Sequence, residues 1–365
     1  MGVWTPYALA PTRPRDHAVV RLAARLRRVG LEGVLADLDR SAEECRVPGE
    51  AAGDGFTWDA ADRTDPAWWP QGVASIRSGD VLLVSWYARR RRFVRTPGAR
   101  ISVVDRRHPD GPRYRHVLLV SPRRPLALLG MRTVPVHAGG IAVRDDLLYV
   151  ADTLFGVRLF RLRDVLRAER PSPGRWGAIR LLRRARPTGG VRGHDYVLPQ
   201  SMALRVPLRS GLRRLRHSFL SIGEVAGRPN LVVGEYRRKG GNPRLARYPL
   251  DPGTGLPVAR GNGVAPPLEV HDGQPDRMQG AAVHGSTWFV TASAGEGVAG
   301  DLYVGAPGSW RRHRRVLPPG PEDLAWSRPG EELWCASEWP GRRWVFPIAT
   351  GRWQPPPGAG TAAGP

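Results

Sequence analysis

From Phe56 onward the apolar residues come in short runs separated by turn residues, and the runs recur. Four segments open with a small or acidic residue followed by an apolar stretch: PQGVASI at 70–76, AGGIAVR at 138–144, MQGAAVH at 278–284 and PEDLAWS at 321–327. Each precedes a second run (DVLLVSWY, LLYVADT, TWFVTAS, ELWCASEW) and then a third (RISVVDR, GVRLFRL, GDLYVGA, RRWVFPI). From the aligned residue to the centre of the second run the count is 12 for Gly72 to Val84, 10 for Gly140 to Val150, 10 for Gly280 to Val290 and 12 for Asp323 to Cys335. Two units add a fourth run, YRHVLLV and RRVLPP. A fifth, less regular unit, SFLSIGEV, NLVVGEY and RLARYPL within 218–250, lacks the opening glycine. LPQSMAL at 198–204 repeats the opening pattern but stands 32 residues ahead of its partner run (Ser201 to Val233), so it reads as a connector.

Short apolar runs bounded by turn residues read as strands. Units of three or four strands that need neighbours to bury both faces predict an all-β fold, a β-propeller. Five units predict five blades; a sixth would have to be assembled from FTWDA and the irregular stretch at about 163–217. An open last blade would expose a sheet edge, so the ring must take a strand from each end of the chain. Phe56–Trp58 is the expected closing strand, beside WVFPI at 344–348.

Ahead of the repeats, residues 16–42 carry apolar positions at Val19, Leu22, Leu26, Val29, Leu31, Val34, Leu35 and Leu38, close to helical spacing, with Gly30 and Gly33 as interruptions. This predicts one long N-terminal helix, followed by the linker VPGEAAGDG. The expected organisation is a helical segment and linker at 1–54, the propeller at 55–352 with an Arg-rich insertion at about 163–217 holding a short helix at LRDVLRAER, and a disordered Pro/Gly/Ala tail at 353–365.

Charge changes the picture less than its size promises. The 56 Lys+Arg against 33 Asp+Glu give +23, but Lys239 is the sole lysine in a chain of 44 Gly and 36 Pro, the composition a GC-rich genome writes. It supports salt-sensitive attraction to polyanions without naming a partner. Four arginine clusters, at 88–93, 180–186, 209–217 and 311–315, would bind phosphate backbones, nucleic acid included, if they gathered on one face. Two cysteines, Cys45 and Cys335, exclude a disulfide framework. No run of 18 apolar residues crosses a membrane. As written, the N-terminus lacks a secretory signal, giving a cytoplasmic expectation that becomes extracellular if the start codon is misassigned.

HAGGIAVRDDLLYVADTLFGVRLFRL resembles a blade of the NHL and gluconolactonase-like propellers, whose inner strand is written P-x-G-I-A and whose second strand is written L-Y-V-A-D. The stretch from FTWDAADRTDPAWWPQGV to SEWPGRRWVF also resembles a group of actinobacterial proteins, uncharacterised in function and often carrying secretion signals. The first resemblance implies a central channel lined by the innermost strands, a ligand site in the loops at one end and, for the lactonases, a divalent ion held by acidic and amide side chains of separate blades.

The repeat then selects positions at the channel mouth. Gln71, His137, Gln279 and Glu322 precede the inner strands, and Asp152, Glu235 and Glu338 end second strands. Such groups bind a polar small molecule through hydrogen bonds, or a cation such as calcium through oxygen ligands, for which Asp152, Glu235 and Glu322 are the expected set. The same groups also satisfy unpaired backbone N–H groups or pair with arginine. GEGVAG matches G-x-G-x-x-G at Gly295, Gly297 and Gly300 but leads into another strand, so it reads as a hairpin loop. The sequence expectation is a monomeric, non-enzymatic propeller that binds a small polar ligand or a protein partner at its channel mouth. The alternatives are a metal-dependent hydrolase or lactonase using Asp152, Glu235, Glu322 and Glu338, and a polyanion-binding propeller acting through its arginines.

Overall fold

The computed structural model describes residues 7–89, 98–122, 130–168, 193–207, 213–329 and 331–354. Strands follow one another as antiparallel meanders. The first is Trp68–Ile76, Val81–Ala88, Ala99–Asp105 and Arg113–Pro122. The second is Ile141–Arg144, Leu147–Asp152 and Gly156–Arg161, with Tyr196–Arg205 outside them. The third is Phe219–Val225, Arg228–Gly234, Leu245–Pro249 and Glu269–His271. The fourth is Met278–His284, Thr287–Ala292, Ala299–Ala306 and Ser309–Pro319. The last is Pro321–Arg328, Glu332–Ser337 and Trp344–Ala349, completed by Asp54–Thr57 and Glu43–Arg46 from the N-terminal side. The closing strand stands where the sequence puts it, with Thr57 opposite Trp344 and Phe56 opposite Val345.

The first strands of the meanders stand side by side around one axis, which makes the fold an all-β propeller. The third and fourth first strands touch as parallel neighbours at Glu224 and His284, and Ser221 Oγ donates to the Ala281 carbonyl at 2.5 Å. The opening glycines exist because backbone meets backbone there. A Cβ on Gly72 would lie 2.6 Å from the Ile141 nitrogen, one on Gly140 2.2 Å from the Leu220 nitrogen, and one on Gly280 2.7 Å from the Asp323 Cα. The irregular third meander solves the same crowding differently: register sets Leu220 opposite Val233, so Phe219 takes the glycine's place. Its ring lies over Gly234, where a Cβ would come within 2.0 Å of the ring edge.

The N-terminal region departs from the expected helix and linker. Residues 16–35 hold two short helices, Asp16–Ala23 and Gly30–Leu35, separated by Arg27–Arg28, which pairs with Leu166–Arg167. Gly30 sits at φ +65°, a left-handed conformation that a continuous helix does not admit. Helices this short persist through tertiary packing, here by burying Val19, Leu22 and Val34 against the sheets. The rest forms a belt along the outer edges of the meanders. Leu9 bridges to Ala265, Ala10–Pro11 pairs with 204–205, Arg40–Ser41 pairs with 113–114, and the Ala51 and Gly53 amides donate to the Val316 and Pro347 carbonyls. Residues 47–53 are therefore packed structure rather than a free linker, and exposed edges are covered by the chain's own beginning.

Three further expectations change. LPQSMAL is no connector: Tyr196–Arg205 pairs antiparallel with the second meander and, over 197–199, parallel with the first, so part of the proposed insertion is a strand joining two meanders. LRDVLRAER begins as a 3-10 turn at Leu162–Asp164 and continues as the strand Leu166–Arg167; the remainder lies outside the described residues. Trp353 is buried in the core, so packing extends into the expected tail, whose residues 355–365 lie outside the described ones. Cys45 and Cys335 are both free thiols. No described helix is long and apolar enough to cross a membrane.

Candidate functional site

The first strands begin, and the second strands end, at one end of the axis. Gln71 and Glu322 precede the aligned Gly72 and Asp323, and both are buried; Gln279 holds the same place before Gly280. Glu338 follows the second strand of the last meander. The Gln71 amide donates to Glu338 Oε2 at 2.9 Å, and the Gln279 amide donates to Glu322 Oε1 at 3.0 Å. Glu322 and Glu338 hydrogen-bond each other, which requires a proton between them. Burial, the Glu338 charge and the Asp323 charge push Glu322 well above the usual carboxylate range. Burial likewise raises Glu338 to about 7, opposed by the Gln71 hydrogen bond and the Arg343 and Arg89 charges. Burial and mutual proximity thus hold both carboxyls of the mouth toward their protonated forms.

Tyr87, which the sequence pattern does not mark, joins the expected His137 beside this group. Tyr87 ends the second strand of the first meander, and its phenol is pushed up by burial and by Glu338 and Glu322. The His137 ring lies 4.1 Å from the Tyr87 ring, centroid to centroid. His137 is exposed at the mouth, and partial desolvation by the neighbouring protein lowers its imidazole from the ordinary value. At the rim, the Arg89 guanidinium stacks 4.5 Å above Trp69, whose ring meets Trp339 at 5.2 Å. Trp58, Trp86 and Trp334 are buried in the core.

Asp323 lies one residue deeper. It is fully buried and its Oδ2 accepts the Ile141 amide at 3.0 Å, tying the last meander to the second at the axis. Its signal in the sequence was the departure from glycine at an aligned position.

Asp152 and Glu235 do not join the pair. The Arg158 guanidinium holds Asp152 at 2.7 and 2.8 Å. Glu235, with no exposed surface, accepts from Arg244 at 2.9 and 3.0 Å, from Arg237 at 3.1 Å and from the Arg216 amide at 2.9 Å. Burial alone would raise Glu235, but these donors hold it below its ordinary value. Register explains the separation. Val150, Val233 and Cys335 are equivalent because they face Ile141, Leu220 and Leu324. Counting from them, Asp152 and Glu235 stand two residues on and Glu338 three, and successive strand residues point to opposite faces. The expected metal set of Asp152, Glu235 and Glu322 is corrected accordingly: two of its members are engaged by arginine, and no group of three His, Cys, Asp or Glu among the described residues is placed to hold a metal ion.

A Ser-His-Asp sequence of contacts does occur elsewhere, at Ser102 Oγ to His116 Nδ1 (2.9 Å) and His116 Nε2 to Asp62 Oδ2 (2.8 Å). All three are buried, Trp86 donates to Ser102, and Arg100 and Tyr114 also bond Asp62. With Arg343 donating to the Asp62 and Asp65 carbonyls, this network ties the segment before the first meander to the last one. No nucleophile in it reaches solvent, so it is part of the core.

GEGVAG forms the turn between Thr287–Ala292 and Ala299–Ala306, with Gly295 and Gly297 at positive φ, as a hairpin loop requires. The cluster at 311–315 lies on the outermost strand of the fourth meander, where Arg312 pairs with Asp301 at 2.5 Å. Charged side chains on an outer strand discourage edge pairing. The cluster at 180–186 and residues 90–93 and 209–212 of two others lie outside the described residues, while Arg213 reaches the Gly241 and Asn242 carbonyls at 3.1 and 2.9 Å.

No family model matches the chain, and no curated protein matches it. Among solved structures it is similar to a gluconolactonase from Xanthomonas campestris (15% identity, 86% of each chain, TM-score 0.38) and a thermostable family-43 glycoside hydrolase (10% identity, 78% of this chain and 91% of that one, TM-score 0.39). It is also similar to the Cps50 (Swd1) β-propeller domain of Myceliophteria thermophila (12% identity, 94% of this chain and all of that one, TM-score 0.37).

Proposed function

We propose that the chain is a five-bladed β-propeller that binds a small polar ligand at its channel mouth, with Glu322, Glu338, Gln71 and Gln279 as the recognising groups and Tyr87 and His137 as the facing wall. The observation that carries this reading is the proton-sharing pair Glu322–Glu338 between two side-chain amides. Two carboxyl groups buried against one another are unfavourable unless something offsets them, and a ligand with several hydroxyl or amine donors does so. Catalysis by these two as a glycosidase pair is disfavoured by geometry: they are within hydrogen-bond contact, whereas such mechanisms separate the carboxyl groups by about 5 Å or more.

A metal-dependent hydrolase is the second reading. What favours it is four oxygen-bearing side chains converging from the first, fourth and last meanders, since a divalent ion can take the place of a shared proton and both amides can turn their oxygens inward. Native mass spectrometry with elemental analysis of the purified protein, followed by a thermal-shift screen of polyols, sugars and amines, tests both. Ligand-induced stabilisation that disappears in Glu322→Gln and Glu338→Gln supports the first reading. A stoichiometric divalent ion lost in the same variants replaces it with the second. Ligand responses unchanged in both variants would reject the mouth as the site.

A further inference from the structure

The end of the ring that carries the mouth also carries most of the exposed apolar side chains of the sheets. Leu154 and Phe155, 61% and 48% exposed, form the turn between Leu147–Asp152 and Gly156–Arg161. Tyr236, 36% exposed, follows Arg228–Gly234, and Val298, 40% exposed, precedes Ala299–Ala306. All three segments join second to third strands, so they project from the same end of the ring. They belong to three consecutive meanders and form one arc. Among the described residues, the turns joining first to second strands at the far end carry no large exposed apolar side chain. Val258 and Leu268 lie apart, in the long connection between Leu245–Pro249 and Glu269–His271.

The arc is interleaved with cations. Tyr236 leads directly into Arg237, Arg238 and Lys239, and the Arg205 guanidinium sits 5.5 Å from the centroid of the Phe155 ring. Arg277 projects alongside, its amide bonded to the Arg237 carbonyl at 2.8 Å. The acidic groups nearby are Asp152, engaged by Arg158; Glu235, engaged by Arg244; Asp276, which accepts the Gly240 amide at 2.9 Å; Asp272; and Glu296. We infer that this arc is a docking surface for an anionic lipid bilayer, with Leu154, Phe155, Tyr236 and Val298 entering the interface and Arg205, Arg238, Lys239 and Arg277 resting on the headgroups. Apolar tips ringed by cations match a bilayer surface, which offers an apolar sink beneath a negative plane. A nucleic-acid backbone has the charge but offers little to an exposed leucine or valine.

Sedimentation with phosphatidylcholine vesicles, with and without roughly one-third phosphatidylserine, tests the assignment on the full chain. The expected result is binding to the anionic vesicles that falls about tenfold or more in the double variant Leu154→Asp/Phe155→Asp and in Arg238→Gln/Lys239→Gln/Arg277→Gln. Val258→Asp/Leu268→Asp should bind like the parent. These positions are exposed, so folding is expected to persist, and circular dichroism of each variant confirms that loss of binding is not loss of structure. No binding to anionic vesicles overturns the proposal. So does binding that survives Leu154→Asp/Phe155→Asp while the charge variant loses it, because that pattern marks simple attraction to a polyanion, which retention on DNA or heparin would display equally.

Discussion

Glu322 and Glu338 on one side of the mouth, and Asp152 and Glu235 on the other, are the same functional group at the same end of the same kind of strand pair. They differ in what faces them. Asp152 and Glu235 each have a guanidinium within 3 Å, so their charge is spent inside the fold. Glu322 and Glu338 have amides and each other, and burial without a guanidinium raises both above the ordinary carboxylate range. An arginine on or just before the next strand, six or nine residues along the chain, is thus enough to turn a candidate binding group into a structural one.

Removing the cation from the paired side should have the largest effect. Arg244→Met leaves Glu235 buried without its main partner and should cost about 3–5 kcal/mol in urea denaturation. Equal stability of the variant would mean that Glu235 is not held by charge and that the contrast is misdrawn.

The opposite side should be read out by pH. Glu338 titrates near 7 in the folded chain against an ordinary 4.5, so the folded state holds its proton more tightly. The stabilisation is complete below the unfolded value and is lost as pH rises through about 7. We expect stability to fall by on the order of 2 kcal/mol from pH 5 to pH 8, and Glu338→Gln to flatten that slope. A wild-type profile flat across this window would remove the shared proton from the description.

Asp152→Asn should cost about 1–2 kcal/mol, because the amide still accepts from Arg158, and should leave ligand response at the mouth unchanged. Smallest of all, Glu322→Gln should alter stability by less than about 1 kcal/mol, or raise it at pH 8, since the amide keeps the donor toward Glu338 and adds no charge. Thermal unfolding of the two side by side checks both. A large loss from Glu322→Gln would show that the pair is a structural element like Glu235.

Much of this was legible before any coordinates. The aligned residues Gly72, Gly140, Gly280 and Asp323 mark the axis because a small residue is needed where strands meet backbone to backbone. The closing strand at Phe56 followed from the need to avoid an open edge. The N-terminal region was misread because apolar residues at helical spacing do not reveal that Arg27–Arg28 will pair with Leu166–Arg167, nor that Gly30 will be left-handed. Tyr196–Arg205 was missed for a related reason: its partners lie in two different meanders.

Local patterning therefore determined the strands, their grouping and the end of the ring where polar groups collect, because strand period and turn chemistry act within a few residues. Which carboxylates meet one another and which meet arginine was decided only in three dimensions. A one-residue difference in register turns a side chain to the other face of its strand, and Glu322, Glu338, Gln71 and Gln279 become neighbours across up to 267 residues of chain only once the ring has closed.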